Sequence, residues 1–389
     1  FEMSLPSRFF TRSFFIRRIQ SITPSSSQQS NRGYRSHNED QSKRQNYGRR
    51  EWSRYAMGAG GPLLALSWMV TLKDFLGVEK IEMDKDPIKD KIKQSWLQRK
   101  YGAYDEAVTV LHDALNEARE RKEEMAITRV IDELANTYYQ KGDYAEAERC
   151  FRDAIQRLVT LHGTKDSDPV FIGISLKLAD LLARRGEIDN AETGFMHCLR
   201  KQMKAVDAHM AKNSVARGAM VEDRHPVDTK GAEHSDPLAL FGMCLDAFAH
   251  FLITFRDEKR LDEADEYMQE VLKISYQIYG SRTAHTVHMA SNFGTMCLIK
   301  NRFPLAVKYL NVAVEKAAHL DECVSLLPTL YCSYAEALFH SSRKEEAIQW
   351  ARRALSLSRS SDERTKKYVS SFLSDLETET GTRKRFYFF

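Results

Sequence analysis

The sequence predicts an all-α protein, a solenoid of consecutive helix–turn–helix hairpins, and three observations carry that prediction. A pattern of small and aromatic residues runs through DELANTYYQKGDYAEAERCFRDAI (132–155): Leu134-Ala135, Tyr138, Gly142-Asp143-Tyr144, Ala147, Phe151 and Ala154. The small residue after the turn returns at 107, 147, 191, 264, 306 and 347, with spacings of 40, 44, 73, 42 and 41. A period near 40 with a single insertion is the signature of stacked helical repeats. The composition agrees: of 389 residues 42% are hydrophobic, 29% are charged and only nine are Pro. That length admits two or three ordinary domains or one long array.

Residues 1–54 read as a mitochondrial presequence followed by an unfolded spacer. No acidic residue occurs from Met3 to Asn38, while Arg8, Arg12, Arg17, Arg18, Arg32 and Arg35 supply positive charge among eleven Ser or Thr. An Arg-rich, Ser-rich, acid-poor start is presequence composition, and a disordered basic tail is the bland alternative. The segment holds eleven Lys/Arg against four Asp/Glu, or +7, so the +4 of the whole chain leaves −3 for residues 55–389. Nucleic-acid binding by the folded part thereby loses its main support.

Residues 55–78 form a candidate transmembrane anchor. YAMGAGGPLLALSWMVTL (55–72) holds eighteen residues without a charge, the lower limit for spanning a hydrocarbon core about 30 Å thick. Gly58, Gly60, Gly61 and Pro62 weaken it as a helix. A signal-like apolar stretch, or a helix packed on the domain, would look similar.

The repeats occupy 85–200 (three) and 238–360 (three). Ala in the second helix of each hairpin lets it approach the first closely, and the large residue four positions on, such as Phe151 or Phe195, fills the gap toward the next repeat. Gly142 and Gly186 suit a turn that other residues adopt at a cost. Ser342 and Lys259 stand where Gly is expected, which marks the last and fourth repeats as departures. No hairpin can bury both apolar faces alone, so stability comes from stacking. The insertion, 201–237, begins as a continuation of the preceding helix and ends in His-Pro, Gly and Asp-Pro punctuation, a loop that contacts a partner or merely connects. Residues 361–389 add a C-terminal helix and tail.

The Leu-Ala/Gly-x-x-Tyr, Gly-x-Tyr and Ala-x-x-x-Phe-x-x-Ala pattern resembles the tetratricopeptide repeat, whose hairpins wind into a right-handed superhelix. HGTKDSDPVFIGISLKLADLL (162–182) and YGSRTAHTVHMASNFGTM (279–296) resemble its kinesin-light-chain variety. With the basic leader, the apolar span, ISLKLADLLARRGEIDNAE (174–192) and LFGMCLDAFAHFLI (240–253), the chain resembles the mitochondrial tetratricopeptide repeat protein 19 family across 85–355. That resemblance implies a factor of the inner mitochondrial membrane that binds respiratory complex III and helps clear fragments of its Rieske iron–sulfur protein. The alternative is a cytoplasmic cargo adaptor of the kinesin-light-chain type, which would need a heptad coiled coil that residues 1–80 do not offer.

Catalytic chemistry finds little support. No phosphate-binding loop, H-E-x-x-H or G-x-S-x-G occurs, so a non-enzymatic chain without cofactor, metal, small-molecule substrate or nucleic acid is expected. His285 and His288 stand at i and i+3 but lack a third ligand, and His209, His225 and His234 are irregularly spaced. Cys150, Cys198, Cys244, Cys297, Cys323 and Cys332 form no C-x-x-C pair and read as small buried hydrophobes. Function is expected in a groove lined by first helices. Counting one residue past the small position gives Trp96, Asn136, Asp180, Ile253, Thr295 and Glu336, and one turn on come Arg99, Tyr139, Arg184, Arg256 and Phe339. Asn and Arg there can hydrogen-bond an extended peptide, or merely solvate the inner surface.

Overall fold

A computed structural model describes residues 86–214, 237–280 and 283–380. The leader, the 55–78 anchor, residues 215–236 of the insertion and the last nine residues lie outside them, and the described residues all belong to one unit, 62–389. Among them there are thirteen α-helices and no strand. Twelve pair into six hairpins: α1 (Pro87–Lys100) with α2 (Tyr104–Glu120), α3 (Glu124–Lys141) with α4 (Tyr144–Thr160), α5 (Pro169–Arg184) with α6 (Ile188–Ser214), α7 (Pro237–Phe255) with α8 (Leu261–Tyr279), α9 (Ala284–Ile299) with α10 (Phe303–Ala317), and α11 (Leu327–His340) with α12 (Lys344–Ser358). The thirteenth, α13 (Glu363–Glu379), packs on α11 and α12 and closes the array.

The register of small residues explains the pairing. Ala107, Ala147, Ala191, Ala264, Ala306 and Ala347 are each the fourth residue of a second helix, and every one is 0% exposed. Four positions on come Leu111, Phe151, Phe195, Met268, Leu310 and Ala351, and three further Ala114, Ala154, Cys198, Val271, Ala313 and Ala354, all buried. A stripe at i, i+4, i+7 is one face of an α-helix, so each second helix presents the same seam to the neighbouring helices. The hairpins contact in chain order, and the first helices α1 and α3, α5 and α7, α7 and α9, and α9 and α11 also touch directly. First helices therefore share one side of the array.

Turn chemistry follows the same register. Five residues before the seam Ala, Gly102, Gly142 and Gly186 take φ of +78, +91 and +90°, and Asn301 and Ser342 take +60 and +63°. The following N–H closes back on the first helix, Asp143 onto Tyr138 O at 2.9 Å and Arg343 onto Leu338 O at 3.0 Å, the hydrogen bond that ends a helix with a left-handed residue. Ser342 thus adopts the glycine conformation at a steric cost. Lys259 does not: a 3₁₀ turn, Glu258–Arg260, replaces the left-handed residue in the fourth hairpin. Asp86, Asp143, Asp168 and Asp362 cap α1, α4, α5 and α13 through their carboxylates, and Pro87 and Pro169 occupy first-turn positions where no N–H is needed.

The array continues across the insertion. α6 runs on to Ser214, and Phe195 of α6 meets Phe251 of α7 at 5.1 Å while Phe248 of α7 meets Tyr267 of α8 at 5.3 Å. α7 is the one helix among the described residues long and apolar enough to cross a membrane, yet 78% of its most apolar window is buried inside the protein. It is a core helix, apolar all round because α5, α6, α8 and α9 pack on it. All six cysteines are free and buried, and burial pushes the thiols of Cys150 and Cys198 up to about 11 and about 12.

Candidate protein-binding groove

The first-helix side is polar, and much of its polarity is spent between repeats. Trp96 Nε1–H and Arg99 Nη2 of α1 both donate to Glu133 Oε2 of α3 at 2.9 Å, and Arg129 reaches Glu133 Oε1 at 3.1 Å. Burial alone would raise this carboxyl. Arg99, Arg129, Lys177 and the indole N–H outweigh burial and hold it below the ordinary range. One residue earlier Asp132 meets Lys177 of α5 at 3.3 Å. Tyr139 donates its hydroxyl to the Asp180 carboxylate of α5, Arg184 Nε donates to the same oxygen at 2.8 Å, and the guanidinium lies 5.5 Å from the Tyr139 ring centre. Burial first, and then Asp180, push the Tyr139 phenol far above its usual value, so it remains a donor.

Farther along, the anticipated residues part company. Ile253 is fully buried. Arg256, at the end of α7, turns to the start of α6, with Nη2 2.7 Å from Asp189 and Nε 2.8 Å from Glu192, and Arg260 adds a 2.6 Å bond to Glu192. Asn136 and Thr295 are half-buried and have no hydrogen-bond partner among the described residues. Lys300, half-buried, stands 5.9 Å over the Phe255 ring; burial and then Arg184 and Arg302 push its ammonium down. Glu336 lies under α13: burial first, then Glu379, push it up to about 7. Phe339 lies against His340 at 5.4 Å, with the Lys344 ammonium 6.0 Å from its ring.

The structure therefore brings Trp96 with Arg99, and Tyr139 with Asp180 and Arg184, into two networks, and leaves Arg256, Thr295 and Glu336 apart from both. Glu133, Asp132 and Lys177 were not anticipated. Their signal was an acidic pair directly before the Leu134-Ala135 motif, whose partners lie 34 to 45 residues away. Asp246 and His250 were missed as well. They form a buried pair 3.6 Å apart in α7, with His250 edge-on to Phe293 at 5.3 Å. His285 lies 4.2 Å from the Tyr279 ring, and burial and then His288 push it down to about 4. Among the described residues no group of three His, Cys, Asp or Glu could hold a metal ion.

Stacked hairpins with this seam and a shared first-helix side make a tetratricopeptide-repeat solenoid, and residues 128–169 and 328–361 each match a family described as Tetratricopeptide repeat. Along most of its length the chain is similar to the mitochondrial tetratricopeptide repeat protein 19 proteins. It is 27% identical to that of Homo sapiens over 277 residues, 71% of this chain and 68% of the human one. It is 27% identical to the Rattus norvegicus protein over 249 residues (64% and 63%) and 26% identical to the Drosophila melanogaster homologue over 265 (68% and 65%). The chain thus spans just under two thirds of the rat and fly proteins. Among solved structures, BtubC from P. vanneervenii aligns at 18% identity and a TM-score of 0.46 over 66% of this chain and 91% of its own. A tetratricopeptide repeat protein from Parabacteroides merdae aligns at 12% and 0.41 over 77% and 89%.

Proposed function

We propose that this chain is a non-enzymatic mitochondrial scaffold, tethered at the inner membrane, whose array binds respiratory complex III and helps clear fragments of its Rieske iron–sulfur protein. The observation that carries the proposal is the likeness over 277 residues to a protein named as mitochondrial, in a chain that also opens with presequence composition. The array supports a binding role, since stacked first helices give an extended surface for a partner segment. The two salt-bridged networks tie neighbouring repeats together, and of the anticipated positions Asn136 and Thr295 are half-buried polar side chains with no hydrogen-bond partner among the described residues.

Three experiments test this. Residues 1–80 fused to a fluorescent protein should carry it into mitochondria, and a cytoplasmic fusion removes the foundation. Cells lacking the protein should show lowered complex III activity and accumulated Rieske fragments, and the tagged protein should recover complex III subunits from solubilised mitochondrial membranes. Normal activity with no fragments in the null cells overturns the specific role.

A further inference from the structure

Three large apolar side chains stand exposed within six positions at the start of the array: Trp96 (41%), Leu97 (41%) and Tyr101 (77%). Lys89, Lys93 and Lys100 lie on the same side. At the helical angle per residue, Lys89, Lys93, Trp96, Leu97 and Lys100 fall within an arc of roughly 100°. Ile88, Ile92 and Ser95 fall outside that arc and are buried. Two further cations of α1 pair with acids, Lys91 with Glu117 and Arg99 with Glu133. Lys89 and Lys100 have no carboxylate partner among the described residues, and the single acid of α1, Asp90, is half-buried. The end repeat of a solenoid needs a polar outer surface to stay soluble, and this one carries Trp, Leu and Tyr among lysines.

We propose that this face of α1 lies on an anionic lipid surface. The inference rests on the reading of 55–72 as a membrane anchor and assigns the contact that follows from it. Trp and Tyr, apolar with a polar edge, favour the boundary between headgroups and acyl chains. Lysine stems lie along apolar surface while their ammonium groups reach outward to phosphate, and clustered cations beside a membrane segment are drawn to anionic lipid. The fourteen residues 73–86 between the apolar segment and α1 reach at most about 50 Å, which keeps α1 near the surface that the segment would enter. A second copy is a poorer occupant, since pairing this face with itself sets lysines against lysines.

The test uses the full chain carrying Leu97→Cys, because all six native cysteines are buried and give little background with a membrane-impermeant maleimide. The protein is reconstituted in vesicles of phosphatidylcholine, or of phosphatidylcholine mixed with phosphatidylglycerol, and flotation confirms attachment. Labelling of the introduced thiol should slow roughly tenfold on the anionic vesicles relative to the zwitterionic ones. Val324→Cys, at a 54% exposed position in a distant part of the array, should react equally on both. Charge reversal of the exposed lysines (Lys89→Glu, Lys100→Glu) should restore fast labelling while the protein still floats. Equal rapid labelling on both vesicles by a floating protein overturns the contact and spares the anchor. Equal slowing on both overturns the anionic surface, since headgroup charge then makes no difference to the contact. Failure to float with either vesicle overturns the anchor and this contact together.

Discussion

Arg99 and Glu133 face each other at 2.9 Å from the first helices of consecutive repeats, with side chains only 10% and 6% exposed. This buried carboxylate is expensive to disturb, because removing it leaves the buried Arg99 guanidinium without its anion. Glu133→Ala should cost about 3–5 kcal/mol and Glu133→Gln about 1–3 kcal/mol in urea unfolding. Because the carboxyl is held low in the folded protein, its contribution is present above the unfolded value near 4.5 and is lost as pH falls through the folded one. The Gln variant should therefore show a flatter acid limb in a stability–pH profile.

Glu336 has the opposite sign. Burial and Glu379 raise it to about 7, so the folded protein holds a proton that the unfolded chain releases near 4.5. Stability should fall as pH rises from about 4.5 to about 7 and stay reduced above that. The loss falls on α13, where burial and then Asp375 push Glu379 up, and burial and then Cys332 and Glu336 push the Tyr368 phenol up. Glu336→Gln should remove the dependence and stabilise the protein above pH 7 by on the order of 1–2 kcal/mol. Hydrogen exchange in α13 at pH 6 and pH 8 measures it: faster opening at pH 8 in the wild type, after correction for intrinsic rates, and little change in the variant.

Ser342 takes a left-handed turn at φ +63° without being glycine. Ser342→Gly should stabilise the last hairpin by about 0.5–1 kcal/mol, the relief of the Cβ clash less the added entropy of the unfolded chain. Gly142→Ala, at φ +91°, should cost about 1–2 kcal/mol although nothing lies within 4 Å of the new methyl. Amide exchange in α11 and α12 reads the first change, and denaturant unfolding the second.

Gly294 shows the other use of glycine. A Cβ there would meet Leu310 Cγ at 2.8 Å and Leu310 N at 3.0 Å, so α9 and α10 touch through its missing side chain. Gly294→Ala should destabilise by about 1–2 kcal/mol despite its gain in helix propensity. Gly194→Ala meets only Ala179, its Cβ at 3.1 Å and its Cα at 3.9 Å, and should be close to neutral. Thermal unfolding of the pair separates contact from propensity.

These residues also show what the sequence could tell. The seam alanines were legible because close helix packing demands a small side chain at one register position in every repeat. The turn at Lys259 was visible as a departure, but its 3₁₀ solution was not, since no short-range signal distinguishes it from a strained left-handed lysine. The groove positions were countable, yet what each touches depends on partners in a neighbouring repeat: Arg99 and Tyr139 are committed to Glu133 and Asp180, and Arg256 to the start of α6. Register is local, whereas charge pairing at separations of 34 to 67 residues is settled only when the repeats stack.

Asn136 and Thr295 therefore make the sharpest test of the groove. Both are half-buried on first helices without hydrogen-bond partners among the described residues, so truncating them removes nothing that holds repeats together. Asn136→Ala and Thr295→Ala should stay within about 0.5 kcal/mol of wild type in denaturant unfolding. If the first-helix face receives a partner segment, each should weaken recovery of complex III subunits from mitochondrial membranes by about five- to tenfold, the loss of one or two hydrogen bonds. Asn136→Arg, which adds bulk and charge at the same place, should abolish it. Arg99→Ala is the contrast, weakening binding only alongside a loss of stability. Wild-type recovery by Asn136→Arg in a protein that unfolds normally would move the binding surface off the groove, to the second-helix side or the insertion.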